Sequence, residues 1–186
     1  MSLTKVVSLE NESRLQSWLK EALIILGASI LIALSAPISI PLPFSPVPIA
    51  LSVHVILFVS AILGSKRGAL AALAYLMQGA LGLPVFAGGV GGLAVLLGPR
   101  GGYLVSYILV AWMAGFLLER TKEATLMKKV GSLALANLSV YPLGVLWLMP
   151  FVGSFKMALL LGFLPFIPGD CLKLVLVCKA LPRPRT

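Results

Sequence analysis

Asp170 and Lys173 stand inside an otherwise apolar run, GFLPFIPGDCLKLVLVCKAL, and they are the residues where chemistry is most concentrated. Carried into a bilayer on a helix, each costs about 2.5–3.5 kcal/mol at the centre, so such groups pair with one another, face a cavity or mark a site. If the segment is helical from residue 169 onward, the two lie three apart on one face. They then offer a single ligand one acidic acceptor and one cationic donor. Pro165, Pro168 and Gly169 just before them predict a break, with a new helix beginning about at Asp170. Two compatible readings follow. Asp170 caps that helix and takes Lys173 as counter-ion, or the broken helix builds a substrate site at mid-membrane.

Other polar residues add less. His54, the one histidine, sits in LSVHVILFV without a carboxylate or cysteine beside it and reads as packing. Asn137 and Tyr141 are four apart and share a helix face; they can make an interhelical hydrogen bond or face a ligand. Ser29 and Ala33 form a small step that admits a neighbouring helix. Cys171 and Cys178 are seven apart in one apolar segment, too far for a disulfide on a helix, and read as buried thiols. Nothing here makes an engine. One histidine and no paired cysteines leave no metal site, no glycine-rich loop leads into Lys-Ser or Lys-Thr for nucleotide phosphates, and Asp170 is the only acid well inside an apolar run. No catalytic residue is expected.

The elements that must position these residues are membrane helices. Hydrophobic residues make up 59% of the 186-residue chain and charged residues 11%, and the mean hydropathy is +1.04. A soluble domain is about half apolar and a quarter charged. Apolar runs fall near 20–36, 49–64, 68–83, 102–118, 130–149 and 156–181, which predicts six spans of about 20 residues. The expected fold is an all-α integral membrane bundle of six transmembrane helices over 20–181, with a cytoplasmic segment 1–19 and a cytoplasmic tail 182–186. The first nineteen residues lack a long apolar core, so they do not read as a cleaved signal, and the first apolar run should stay as a span.

The net charge of +9 does not point to nucleic acid, because the basic residues are scattered between apolar runs rather than gathered in a stripe. They read as topology signals. One side of the six-span arrangement carries Lys5, Arg14, Lys20, Lys66, Arg67, Arg120, Lys122, Lys128, Lys129, Lys179, Arg183 and Arg185; the other carries Arg100 and Lys156. Both termini are therefore expected on the cytoplasmic side.

Two outward connections differ from the charged inward ones. Residues 37–48, PISIPLPFSPVP, hold five prolines and no charge; the segment is a stiff apolar lid, centred on Phe44 and Ser45, or a passive connection. Residues 82–102 carry eight glycines in a stretch too apolar for a solvated loop. That stretch is expected to re-enter the membrane domain and line a pocket, or to use its glycines for tight helix packing.

Together, SPVPI at 45–49, GALGLPVFAGGVGGLAVLLGPRGGY at 79–103 and FIPGDCLK at 166–173 resemble BioY, the family of biotin-specific S components of energy-coupling-factor transporters. The resemblance runs from about residue 20 onward. It implies biotin as transported substrate, held near the outer face of the cytoplasmic membrane under the two outward loops, and no cofactor of the chain's own. It also implies a transmembrane coupling subunit and a pair of ATPases as partners beside membrane lipid, with ATP used only by those partners. Carried over, PGDxxK makes Asp170 and Lys173 the leading contacts: Asp170 accepts from the ureido N–H groups and Lys173 donates to the ureido carbonyl or balances the aspartate. Phe86, Gly88 and Gly89 would pack the ring, Arg100 would receive the carboxylate tail, and Tyr103 and Tyr141 would complete the pocket. This chain departs from the family pattern at Ala50, Leu51 and Ser52, where Thr-Leu-Gln is frequent, and at Arg100, where threonine is frequent. An S component for another small vitamin, a membrane enzyme using Asp170 and Lys173 as acid and base, and a structural subunit are the alternatives.

Overall fold

Backbone groups in lipid must be satisfied within their own segment, so long apolar runs become helices. The computed structural model describes residues 3–121 and 126–180. Its helices are α1 (Leu3–Ser35), α2 (Ser52–Leu63), α3 (Ser65–Ala80), α4 (Leu93–Leu97), α5 (Gly101–Glu119), α6 (Leu126–Leu138), α7 (Val140–Val152), α8 (Phe155–Gly162) and α9 (Phe166–Ala180). Between α1 and α2, the short strands β1 (Ser39–Ile40) and β2 (Ile49–Ala50) pair antiparallel, Ser39 opposite Ala50 and Ile40 opposite Ile49. The expected tail 182–186, with Arg183 and Arg185, and Lys122 in the α5–α6 connection lie outside the described residues.

The six expected segments are α1, α2, α3, α5, the α6–α7 pair and the α8–α9 pair, in an all-α membrane bundle. Arg14–Ser35, Gly101–Glu119 and Met127–Val152 are each long and apolar enough to cross a membrane, and α8 with α9 makes a fourth, bent by 40° at its break. α2 is shorter: its 12 residues rise only about 18 Å. It sits inside the bundle with Ser52, Val53, His54, Ile56, Leu57, Val59 and Ser60 buried, and the strap that β1 and β2 form completes its approach from α1.

The first expected span, near 20–36, lies within a longer helix: α1 is helical from Leu3 over 33 residues, and no glycine or proline interrupts the sequence before Gly27. The last break falls earlier than expected, at Phe163–Pro165, so Asp170 lies in the second turn of α9 and does not cap it. Pro168 is the third residue of α9, where its missing N–H would have had no intrahelical partner.

α5 is the central post, packed against α2, α3, α4, α6 and α7. Its close approach to α3 depends on Gly115, where a Cβ would collide with the backbone of Ser65 and Gly64. At the same end, the Glu119 carboxylate accepts from the Ser65 N–H at 2.8 Å and from its hydroxyl, capping the start of α3. Arg67 of α3 pairs there with Glu21 of α1. Ser29 of α1 accepts from Gln78 of α3 at 2.8 Å further along the same seam, the close approach that the Ser29–Ala33 step predicts.

Gly115→Leu forces α3 off α5 and should destabilise the fold by about 1–3 kcal/mol or more, the usual penalty for overpacking. Gly131, exposed with nothing near its Cβ position, supplies the control. Thermal unfolding in detergent should show a lowered midpoint for Gly115→Leu and an unchanged one for Gly131→Leu; equal midpoints would refute the packing account.

Candidate functional site

Asp170 is buried where α9 meets α2, α6 and α7, and its carboxylate organises a polar cluster in an apolar interior. Its Oδ2 accepts from the Asn137 side-chain amide at 2.6 Å and from the Tyr141 hydroxyl at 2.5 Å. Asn137 closes α6 and Tyr141 opens α7; the interruption at Ser139 leaves both on the same side. Their shared face therefore makes interhelical hydrogen bonds, and the partner of both is the buried acid. Oδ1 faces the His54 ring, with Nε2 at 3.6 Å, and takes no hydrogen bond among the described residues. The carboxylate thus has one oxygen saturated by the protein and one to spare.

Asp170 also borders a small chamber lined by Val47, Pro48, Ile49, Ala50, Val53, Tyr103, Tyr107, Val140, Tyr141 and Phe166. Its walls are aromatic and held in place. The Tyr103 ring lies in a notch between α7 and α8, where a Cβ on Gly144 or Gly162 would strike it, and its hydroxyl donates to the Gly162 carbonyl at 2.9 Å. It stacks on Phe166 with ring centroids 6.3 Å apart, and Tyr141 meets Phe163 edge-on at 4.7 Å. Tyr107 shares a hydrogen bond of 3.3 Å with Ser52.

The roof is the strap, residues 47–50. Ser45 anchors it: its hydroxyl donates to the Leu161 carbonyl at 2.8 Å and accepts from the Val47 N–H at 3.2 Å. At the other end, Lys173 Nζ donates to the Ala50 carbonyl at 3.3 Å. The cavity volume is about 40 Å³, whereas small-molecule sites enclose roughly 300–1,000 Å³. As it stands the chamber holds a few waters, and a larger ligand requires it to widen.

Several expected contacts lie elsewhere. Lys173 is three residues from Asp170 but makes no ion pair with it; it lines a neighbouring groove between α2 and α9, with His54, Leu51, Val55, Phe58, Leu176, Val177 and Ala180, of about 250 Å³. Phe44 is 57% exposed, so the roof begins three residues later than the expected lid centre. Phe86 is buried, but edge-on to Tyr75 at 5.6 Å and against Gly79, away from the chamber. Gly88 and Gly89 are exposed at positive φ, +87° and +69°; they turn the chain between the Phe86–Val90 bridge partners and are not among the residues lining the Asp170 chamber. Phe86 alone of that turn is buried, because it carries the one large ring that fits the Gly79 notch.

Arg100 also has a different task. Its Nε donates to the Pro46 carbonyl at 3.0 Å and its Nη1 to the Ala87 carbonyl at 3.1 Å, clipping the two outward loops to each other rather than lining the chamber. Val47 and Pro48 fall within the expected lid segment 37–48, whereas sequence reasoning gave no site role to Ile49, Ala50, Val53, Tyr107, Val140, Phe166 or His54. Only His54 had a signal of its own, as an ionisable group in an apolar run.

A family model described as the BioY family matches residues 7–185. The biotin transporter BioY of Thermotoga maritima is 42% identical over 145 residues, covering 78% of this chain and 83% of that protein. The probable biotin transporter BioY of Pyrococcus horikoshii is 41% identical over 143 residues, covering 77% and 82%. Among solved structures, the S-component for biotin from an ECF-type ABC transporter superposes with a TM-score of 0.75 at 31% identity, covering 91% of this chain and 90% of that one.

Arg100→Ala removes both clips between the loops. Each hydrogen bond is worth about 1 kcal/mol net, so losing two should speed local opening by about tenfold or more. Hydrogen exchange followed by mass spectrometry should show faster exchange over residues 44–50 and 85–92 and no change in α5; unchanged exchange in the loops would refute the clip.

Proposed function

The chain belongs to the BioY family, and from that premise we propose that it captures biotin for uptake across the cell's cytoplasmic membrane, as the substrate-binding S component of an energy-coupling-factor transporter. The observation that carries this reading is the half-satisfied Asp170 carboxylate at the edge of an aromatic chamber. Biotin has two ureido N–H donors, a ureido carbonyl, an apolar fused ring and a carboxylate tail. Its N–H groups match the free acceptor capacity of Asp170, since a charged acceptor makes the stronger hydrogen bonds. The fused ring fits between Tyr103, Tyr107, Tyr141 and Phe166.

When the strap lifts to admit the ring, the long bond from Lys173 to Ala50 is the one most readily exchanged, which frees the ammonium for the ureido carbonyl. The tail carboxylate points outward, toward the rim that Arg100 clips. Phe86, Gly88 and Gly89 support the site from the neighbouring loop rather than by contact. Uptake then depends on partners: a transmembrane coupling subunit and two ATPases consume ATP, while this chain performs no chemistry. The basic ends of α1, α3 and α5 lie on the cytoplasmic side and the strap outside, as the charge asymmetry requires.

Titration of the detergent-solubilised chain with biotin tests the reading. Tight binding is expected, and Asp170→Asn should weaken it about 10- to 150-fold, the equivalent of the 1.5–3 kcal/mol carried by hydrogen bonds to a charged group. Retention of riboflavin or thiamine with no biotin binding would remove biotin as the substrate.

A further inference from the structure

His54 is buried at 1% exposure, and neither ring nitrogen has a hydrogen-bond partner among the described residues. Packing alone does not account for an imidazole there, since an apolar side chain of the same size would leave nothing unpaired. The ring instead stands where a polar group can act on the site. Its Nε2 is 3.6 Å from Asp170 Oδ1, just beyond hydrogen-bond length, and Oδ1 is the oxygen that Asn137 and Tyr141 leave free. The ring also borders the α2–α9 groove, whose volume of about 250 Å³ gives it room to turn.

We infer that His54 is a positioning residue for Asp170, and that a proton on its imidazole competes with the ligand for Oδ1. The inference rests on Asp170 being the ligand's acceptor. Unprotonated, the ring leaves Oδ1 to the ligand's N–H donors or offers it one neutral N–H. Protonated, it closes the remaining gap and forms an ion pair with the carboxylate, drawing the oxygen away from the chamber. Conversely, a bound ligand occupies the acceptor that the imidazolium needs.

The other groups facing the ring do not replace that acceptor. Lys173, also on α9, lines the same groove and opposes a second positive charge. On the elements around α2, α3 carries the buried phenol of Tyr75, α5 that of Tyr107, which is bonded to Ser52, α7 that of Tyr141, which already serves Asp170, and α6 the uncharged amide of Asn137. The described charged residues of α1, Arg14, Lys20 and Glu21, lie at the opposite end, where Glu21 pairs with Arg67. The sign follows by linkage: the free protein binds the proton better than the complex does, so affinity falls as pH falls, and binding in the acidic range releases a proton.

The test is biotin affinity of the whole detergent-solubilised chain between about pH 8 and about pH 4, a window wide enough to include the charge change of a histidine buried beside a carboxylate. Wild type should weaken by about tenfold or more across that window, while His54→Gln should vary by less than about threefold. Acid weakening that comes from Asp170 itself is common to both proteins, so the difference between the profiles is the readout. Parallel profiles would overturn the inference while leaving biotin capture standing; absence of biotin binding at every pH would overturn both. If His54→Gln fails to fold, calorimetry of wild type in buffers of different ionisation enthalpy decides, because no proton release on binding below about pH 7 would equally overturn it.

Discussion

An acid buried in an apolar bundle must be held by the protein, and the arrangement around Asp170 follows from that need. Two hydrogen bonds to a charged acceptor, at about 1.5–3 kcal/mol each, match the roughly 2.5–3.5 kcal/mol needed to carry an aspartate into the centre of a membrane helix. Asn137 and Tyr141 supply both bonds to a single oxygen. Solvation is thereby met without spending Oδ1. The bonds also join three elements: α9 brings the carboxylate, α6 the amide and α7 the phenol. Because Tyr141 is fixed by Asp170, it can serve as a wall beside Phe163 and Phe166.

Walls and roof are built differently, and the difference suits capture and release. Tyr103 is locked by two glycine notches, a hydrogen bond to Gly162 and the stack on Phe166. Moving it would mean moving α7 or α8. The strap over the chamber is held by a two-residue ladder, the Ser45 anchor, the Arg100 clip and the long Lys173 bond. These are individual hydrogen bonds between partly buried groups, each worth about 1 kcal/mol, the class of contact that opens locally while the core stays folded. A rigid aromatic cradle under a lightly tethered roof lets a buried site exchange its contents without unfolding the bundle. Arg100 contributes by tying the proline-rich strap to the glycine-rich turn through the Pro46 and Ala87 carbonyls.

Much of this was legible in the sequence because it rests on local physics. Composition alone identifies a membrane protein, and the apolar runs mark its six segments, since each must bury its own backbone. Asp170 and Lys173 stand out because ionisable residues in such runs need a reason, and the four-residue spacing of Asn137 and Tyr141 placed them on one face. Boundaries were less legible. Pro168 looked like a helix stop, but within a first turn proline is accommodated, so α9 starts four residues before Asp170.

What only the tertiary structure decided is which side chains converge across distant segments. His54 and Asp170 are 116 positions apart, and nothing local to either announces the other; helix packing brings them to 3.6 Å. The strap residues 47–50 and Tyr107 became a roof and a wall because α2 and α5 cross beneath the hairpin, while the conspicuous Phe86, Gly88, Gly89 and Arg100 were drawn to loop architecture instead. Residue type and spacing along one helix determine what chemistry a face can offer. Three-dimensional packing, which joins faces of separate helices at van der Waals distance, decides which of those faces enclose a cavity.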